Sequence, residues 1–410
     1  MEYLRHTLKN GIRLVHKPVS NAVAHCALMV NTGSRDEKES EQGMAHFIEH
    51  TIFKGTKKRK SFHILSSLEN VGGEINAFTT KEETCIYASF LPQYYDRTLE
   101  LFSDISLHSQ FPKNEIDKEK DIIIDEINSY RDNPAEEIFD EIEDIVFKGH
   151  SMGRNILGTK ELVKSYNRED ILKFVYNNFH TDETVICSVG NFDFKKFVAI
   201  CEKHFGDAPT RLRNFKREEF SNYIPSNKTE NKAVHQAHCI IANVAYSAQH
   251  ENRNKLIFLN NILGGPGLNT RLNMGIREKY GFCYNIESNY TPYSDTGILS
   301  IYLGTDFGSL EKTIKLTHKE LGKLRDKKLG SLQLQRAKQQ LIGQIAIAQE
   351  SNVNEMLSMG KSILVYDKVD PIETMTKELE EIKSNEILEI ANEVFDPNKL
   401  SMLIYKSEKQ

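Results

Sequence analysis

Residues 46 to 50 read His-Phe-Ile-Glu-His. On a helix, positions i and i+4 lie one turn apart on the same face, so the His46 and His50 imidazoles can reach a single ion. Glu49 projects from the same side, about 60° round from His46, which puts it beside such an ion. Zinc accepts neutral imidazole nitrogens, and a catalytic zinc site uses three protein ligands and keeps the fourth position for water. Glu49 is then placed to take a proton from that water, which is the chemistry of hydrolysis. The bland alternative is two histidines on an ordinary helix surface, and these five residues alone do not choose.

A third ligand comes from the segment 114–130, which is predicted helical. At about 100° per residue, Ile116, Ile122, Ile123 and Ile127 gather on one side, and Glu119 and Glu126, seven residues apart, point into that apolar sector. Asp117, Asp121 and Asp125 take the opposite, solvated face. An unpaired buried carboxylate is costly, so the two glutamates need compensation. A divalent cation flanked by histidine supplies it, with Glu126 as third ligand and Glu119 orienting a ligand imidazole. A buried Arg or Lys would serve as well.

The elements that must hold these residues can be read along the chain. Asn10-Gly11 between alternating residues predicts a hairpin turn, and residues 22–32 a buried strand. A polar loop then leads to a helix from about Met44 to Lys54-Gly55. Gly72-Gly73 opens a hairpin of EINAFTT and TCIYASFL. Helical patterns fill 94–146 and 160–178, and TVICSVG is another buried strand. The second half repeats this order. KAVHQAHCIIANVAYS resembles NAVAHCALMVNTGS, pairing Cys239 with Cys26, and a helix and a Gly-opened hairpin follow. The reading is an α+β fold of two homologous α/β-sandwich domains, each an antiparallel-rich sheet covered by helices. Their expected limits are 1–210, a polar linker at 211–232, and 233–410.

Composition narrows the class. The 410 residues carry a net charge of -5, with 39% apolar and 27% charged residues. That suits a two-domain globular protein and offers no basic surface for nucleic acid and no polybasic membrane signal. No apolar run approaches the roughly 20 residues of a membrane span, and the N-terminus lacks a secretory h-region. Six scattered cysteines without a CxxC pair suggest reduced, buried thiols, so the expected location is the cytoplasm. Gly264-Gly265-Pro266-Gly267 follows no strand and lacks a P-loop lysine, so it is read as a turn.

These motifs resemble those of the pitrilysin/insulinase-type inverzincin metallopeptidases, particularly the mitochondrial-processing-peptidase branch, whose signature is H-x-x-E-H. Gly33-Ser34-Arg35 precedes the motif, and Gly43 and Phe53-Lys54-Gly55-Thr56 surround it. Glu119 and Glu126 lie 69 and 76 residues beyond His50, the family's spacing. Gly72-Gly73, Asn76-Ala77 and Thr79 match its substrate strand, and Gly153-Arg154 with Ile156 to Thr159 a later stretch. Thr270-Arg271-Leu272, Arg277-Glu278, Gly281 and Tyr284 match its substrate-gripping segment. Asn155 in place of a usual Pro, and Pro266 within the Gly-rich loop, are departures.

The resemblance implies a zinc endopeptidase acting on short or unfolded peptides inside a clam-shell chamber built from four homologous units. Two units supply half of it, which implies a homodimer. His46, His50 and Glu126 would hold Zn2+, Glu49 would be the base, and Asn76, Ala77, Phe78 and Thr79 would bind substrate as an edge strand. The C-terminal domain would have lost its metal ligands. Its Arg277 and Tyr284 would act on the partner's site, Tyr284 holding a carbonyl or oxyanion. Read without the family, Arg277 pairs with Glu278 or Glu287 and Tyr284 is a half-buried strand residue. Two rival functions stand beside the peptidase: an inactive family member serving as partner or scaffold subunit, and a phosphoesterase using the same His/His/Glu set.

Overall fold

Short β-rich runs bounded by Gly, Asn and Pro become the strands, and the computed structural model describes residues 3–407. β1 (Leu4–Thr7) and β2 (Arg13–Pro18) flank the Asn10-Gly11 turn, where Gly11 takes φ 99°, a left-handed value that suits glycine. β3 (Ala24–Val30), β4 (Glu74–Thr79), β5 (Thr84–Phe90) and β6 (Thr184–Gly190) complete a six-stranded sheet ordered β1-β2-β6-β3-β5-β4. Every pair is antiparallel except β2–β6. β4 ends the sheet as an edge strand.

The second half builds β7 (Asn227–Asn231), β8 (Ala237–Ala245), β9 (Cys283–Pro292), β10 (Gly297–Thr305) and β11 (Ser401–Lys406). Their order is β7-β11-β8-β10-β9, and only β7–β11 is parallel. Laid on β2-β6-β3-β5-β4, this sheet matches in order and in direction. Ala-His-Cys opens both β3 and β8, so Cys26 and Cys239 hold equivalent positions. The duplicated α+β unit is therefore present in the topology.

The chain forms two compact units, each discontinuous in sequence: residues up to Asn128 with Arg154–Arg217 and Ile347–Val369, and Ser129–Gly153 with Glu218–Ala346 and Asp370 onward. This differs from one division at 211–232 because two helices are exchanged. In the first unit, Met356, Met359 and Ile363 of the helix Asn352–Tyr366 pack on Ala27, Met29, Cys85, Val185 and Cys187. In the second, Ile138, Ile142 and Val146 of the helix Pro134–Val146 pack on Ile240, Ala242, Ile298, Leu403 and Tyr405. Each buried Met or Ile contributes about 1.5–3 kcal/mol relative to exposure, so neither helix is dispensable to the sheet it covers. Gly360 permits the close approach: a Cβ there would collide with Met29 Sδ and lie 2.7 Å from Cys187 Sγ.

The stretch 211–232 is also more ordered than a tether. Arg213 and Arg217 both close on the buried Asp36, each at 2.7 Å, and β7 occupies its end. The helical pattern over 94–146 resolves into Tyr95–His108, Lys113–Arg131 and Pro134–Val146, broken where Pro112 and Pro134 cannot continue the hydrogen-bond ladder. The six cysteines are buried and free. Among the described residues no helix is long and apolar enough to cross a membrane.

Candidate metal centre

The first helix of the site runs Met44–Thr51, three residues short of the expected end. It starts from Gly43 at φ 89°, where a Cβ would lie 2.6 Å from the Leu157 carbonyl, so both conformation and space call for glycine. Phe47 and Ile48 turn into the core of the first unit. That orientation presents His46 and His50 on the other side, their ring centroids 4.6 Å apart.

The helix Lys113–Arg131 brings the carboxylates. Glu126 Oε2 lies 3.7 Å from His46 Nε2 and 3.4 Å from His50 Nε2. One ligand atom from each of these three residues lies within 4.8 Å of the others. Glu119, 4% exposed, places Oε2 3.2 Å from His50 Nδ1 and Oε1 2.7 Å from the Lys54 ammonium. Of the compensations the sequence left open, Glu119 therefore has the cationic side chain, Lys54 on one oxygen, with the His50 imidazole on the other. Asp117, Asp121 and Asp125 are exposed as expected. Ile122 is not in the apolar sector; it is 49% exposed, because that sector is narrower than the pattern suggests. Glu126 stands at the sector's rim with its side chain 35% exposed, where a ligand can also face a substrate.

Electrostatics follow from these contacts. Burial, and then the neighbouring His50, push His46 down to about 4 against the pull of Glu126. It is a neutral donor at pH 7. Burial also works against a charged His50, but Glu119 and Glu126 overcome it and raise it to about 9. Glu126 is held below the usual carboxylate range, first by its hydrogen bond to His50. Burial opposes the charge on Glu119, and His50 and Lys54 outweigh it.

The donor set fits zinc. Glu119 occupies His50 Nδ1 and leaves Nε2 free to ligate, the arrangement that fixes a metal-binding tautomer. His46 Nδ1 is buried without a hydrogen-bond partner, so its Nε2 is likewise the nitrogen turned toward Glu126. Two imidazoles and one carboxylate, with an open side, are the ligands of a catalytic zinc site.

Glu49 stands next to this cluster. Burial raises its carboxyl above the ordinary value, partly offset by hydrogen bonds from the Thr79 hydroxyl and amide. That amide is available because of strand register. Thr80 N–H donates to Glu83 across the hairpin, so in an antiparallel ladder Phe78 and Asn76 face β5 while Thr79, Ala77 and Ile75 turn their backbone groups to the open edge. Asn76 is exposed, and the Phe78 ring lies 6.0 Å from that of Tyr87.

Lys54 and the Thr79 contact to Glu49 were not anticipated. A cation one turn beyond His50 was the available signal for Lys54; the Thr79 contact depends on strand register that spacing alone does not give. Arg277 and Tyr284 belong to the second unit, on the π-helix Asn273–Glu278 and on β9, which pack against each other. Arg277 reaches Asn273 Oδ1 at 3.3 Å and Glu278 at 3.8 Å. Tyr284 is 67% exposed, more open than a half-buried strand residue. At equivalent places in the order of elements, the second half has Arg253–Gly264 without histidine and Ser331–Gln349 without a carboxylate.

Comparison with known proteins matches this architecture. The family model described as Insulinase (Peptidase family M16) matches residues 13–160, and that described as Peptidase M16 inactive domain matches 165–341. The uncharacterized zinc protease YmxG of Bacillus subtilis is 32% identical over 98% of both chains. An uncharacterized zinc protease of Rickettsia bellii is 31% identical over 97% of this chain and 96% of its own. In fold, the crystal structure of a protease from Helicobacter pylori superposes with a TM-score of 0.91 at 19% identity, covering 99% of each chain. Two family models in tandem and full-length relatives above 30% identity lead to one assignment: the chain belongs to peptidase family M16, the insulinase family.

Proposed function

We propose that the protein is a zinc-dependent endopeptidase of the mitochondrial-processing-peptidase-like branch, cleaving short or unfolded polypeptides. The observation that carries this is the convergence of His46, His50 and Glu126 within 4.8 Å, with Glu49 beside them against the edge of the sheet. The names of the zinc protease relatives support the choice of metal.

His46 Nε2, His50 Nε2 and a Glu126 oxygen would hold the zinc. When bound, zinc polarises a carbonyl and lowers the pKa of water towards about 7. Glu49 takes a proton from the attacking water and delivers it to the amine nitrogen that leaves. Its raised pKa suits a group that must both accept and return a proton near neutrality. The outward backbone groups of Ala77 bind an extended substrate as an added strand, a mode with little sequence preference. Arg277 and Tyr284 grip the substrate and its developing oxyanion in a closed chamber formed by a homodimer. Six buried free cysteines suit work in a reducing cytoplasm.

The test is cleavage of internally quenched peptides with and without a chelator, alongside Glu49→Gln. The variant should keep its zinc and lose about 10²–10⁴-fold in kcat. A variant that keeps zinc and cleaves at the wild-type rate removes Glu49 as the base. Cleavage that persists in metal-free protein removes the metal mechanism.

A further inference from the structure

Glu37 lies outside regular secondary structure, between the 3-10 turns Ser34–Asp36 and Glu39–Glu41. It is nevertheless 3% exposed. Its Oε2 accepts the Gly43 amide at 2.9 Å and its Oε1 accepts the Ala45 amide at 2.8 Å. These are amides at the start of the helix Met44–Thr51, the first-turn donors that a helix leaves unsatisfied. The helix has no cap of its own, since Gly43 offers no side chain. It is only eight residues long, and a helix that short gains little from its internal ladder and depends on outside contacts.

The surroundings hold Glu37 in place in turn. Arg154 donates to the Glu37 carbonyl at 2.7 Å, and Lys81 donates to the Arg154 carbonyl at 2.6 Å. Tyr166 donates to the Gln42 carbonyl, two residues before the helix begins at Met44, at 2.7 Å. Burial pushes the Glu37 carboxyl up, opposed by the Ala45 and Gly43 amides and by Lys81 and Arg154. Both oxygens accept hydrogen bonds, and the positive end of the helix favours negative charge there.

Ala45 immediately precedes His46. We propose that Glu37 is a positioning residue for the metal centre. Its carboxylate pins the first turn of the short helix and thereby sets where His46 and Glu49 stand relative to Glu126. The proposal rests on the zinc-peptidase reading of that site. From a loop, Glu37 performs the task of a capping side chain, because the cap position must be glycine for want of space.

The test uses the full chain and zinc alone as probe, in chelator competition, with Co2+ substitution to report ligand geometry. Glu37→Gln should bind zinc 10- to 100-fold more weakly, the range for outer groups that orient ligands, and should shift the Co2+ absorption bands. Glu37→Asp, which keeps the charge but is one methylene shorter, should fold and show a smaller loss in the same direction. Phe197→Leu, in the core away from the site, serves as a control for general destabilisation and should leave metal affinity unchanged. If Glu37→Gln melts earlier but binds zinc and colours with Co2+ as the wild type does, the positioning role falls. Should Glu37→Gln fail to fold, wild-type affinity in Glu37→Asp has the same force. His46→Ala separates the two levels: unchanged zinc binding there sinks the site itself, whereas its loss together with an inert Glu37→Gln sinks only this proposal.

Discussion

The Lys54 ammonium stands 2.7 Å from Oε1 of Glu119. The other oxygen of that carboxylate meets His50 Nδ1 at 3.2 Å, so a surface-reaching lysine is linked to the proposed ligand His50 through one buried group. Glu119→Gln should therefore weaken zinc binding by 10- to 100-fold without removing a ligand, and Lys54→Met should weaken it less. Chelator competition measures both. Wild-type affinity in Glu119→Gln would show that His50 needs no such partner.

Zinc loading should expel a proton. His50 is raised to about 9 in the metal-free protein, so at pH 7 it carries a proton that a ligand nitrogen cannot keep. His46, lowered to about 4, contributes none. The sign is definite: affinity rises with pH by about a decade per unit through neutrality and levels off near pH 9. Titrations in buffers of differing ionisation enthalpy count the protons. Release of none at pH 7 contradicts the His50 assignment.

Ala77→Pro probes the edge strand. Proline is tolerated on an edge when its missing N–H faces outward, as the register of β4 places it. The variant should keep its melting temperature and lose roughly tenfold in kcat/KM on extended peptides, the worth of one or two backbone hydrogen bonds. Unchanged kinetics would mean that substrates do not add to β4.

Gly360→Ala adds a Cβ against Met29 and Cys187. Overpacking of this kind costs about 1–3 kcal/mol, read as a lower denaturant midpoint of the first unit. No measurable change would imply that the helix Asn352–Tyr366 shifts freely on its sheet.

The homodimer reading predicts complementation. Mixed dimers of Glu49→Gln and Arg277→Ala/Tyr284→Phe chains should regain activity that neither parent has. Verified mixed dimers without rescue would place Arg277 and Tyr284 outside the neighbouring site.

Local pattern carried much of the site. His46, Glu49 and His50 follow from helical spacing, and Glu119 and Glu126 from carboxylates set among isoleucines. Strand positions and the repeat were legible because turn glycines and alternation are local signals. What spacing could not show was long-range. Glu37 reaches a helix that starts seven residues later by folding back through a loop. The helices Pro134–Val146 and Asn352–Tyr366 have apolar faces that do not say which of two similar sheets they cover. Ile122 stays exposed because a helical wheel gives direction and not the width of the neighbour that covers it.

The exchange of those two helices bears on how the protein is made. Every ligand to the proposed metal lies within the first 126 residues, yet the back of their sheet stays bare until Tyr366 has been synthesised. At about 5–20 residues per second, that interval is on the order of tens of seconds, during which Met29, Cys85 and Cys187 lack their cover. A nascent chain of this design cannot mature its first half independently. A ribosome stalled midway would hold an exposed apolar face and two bare thiols, not a finished enzyme module.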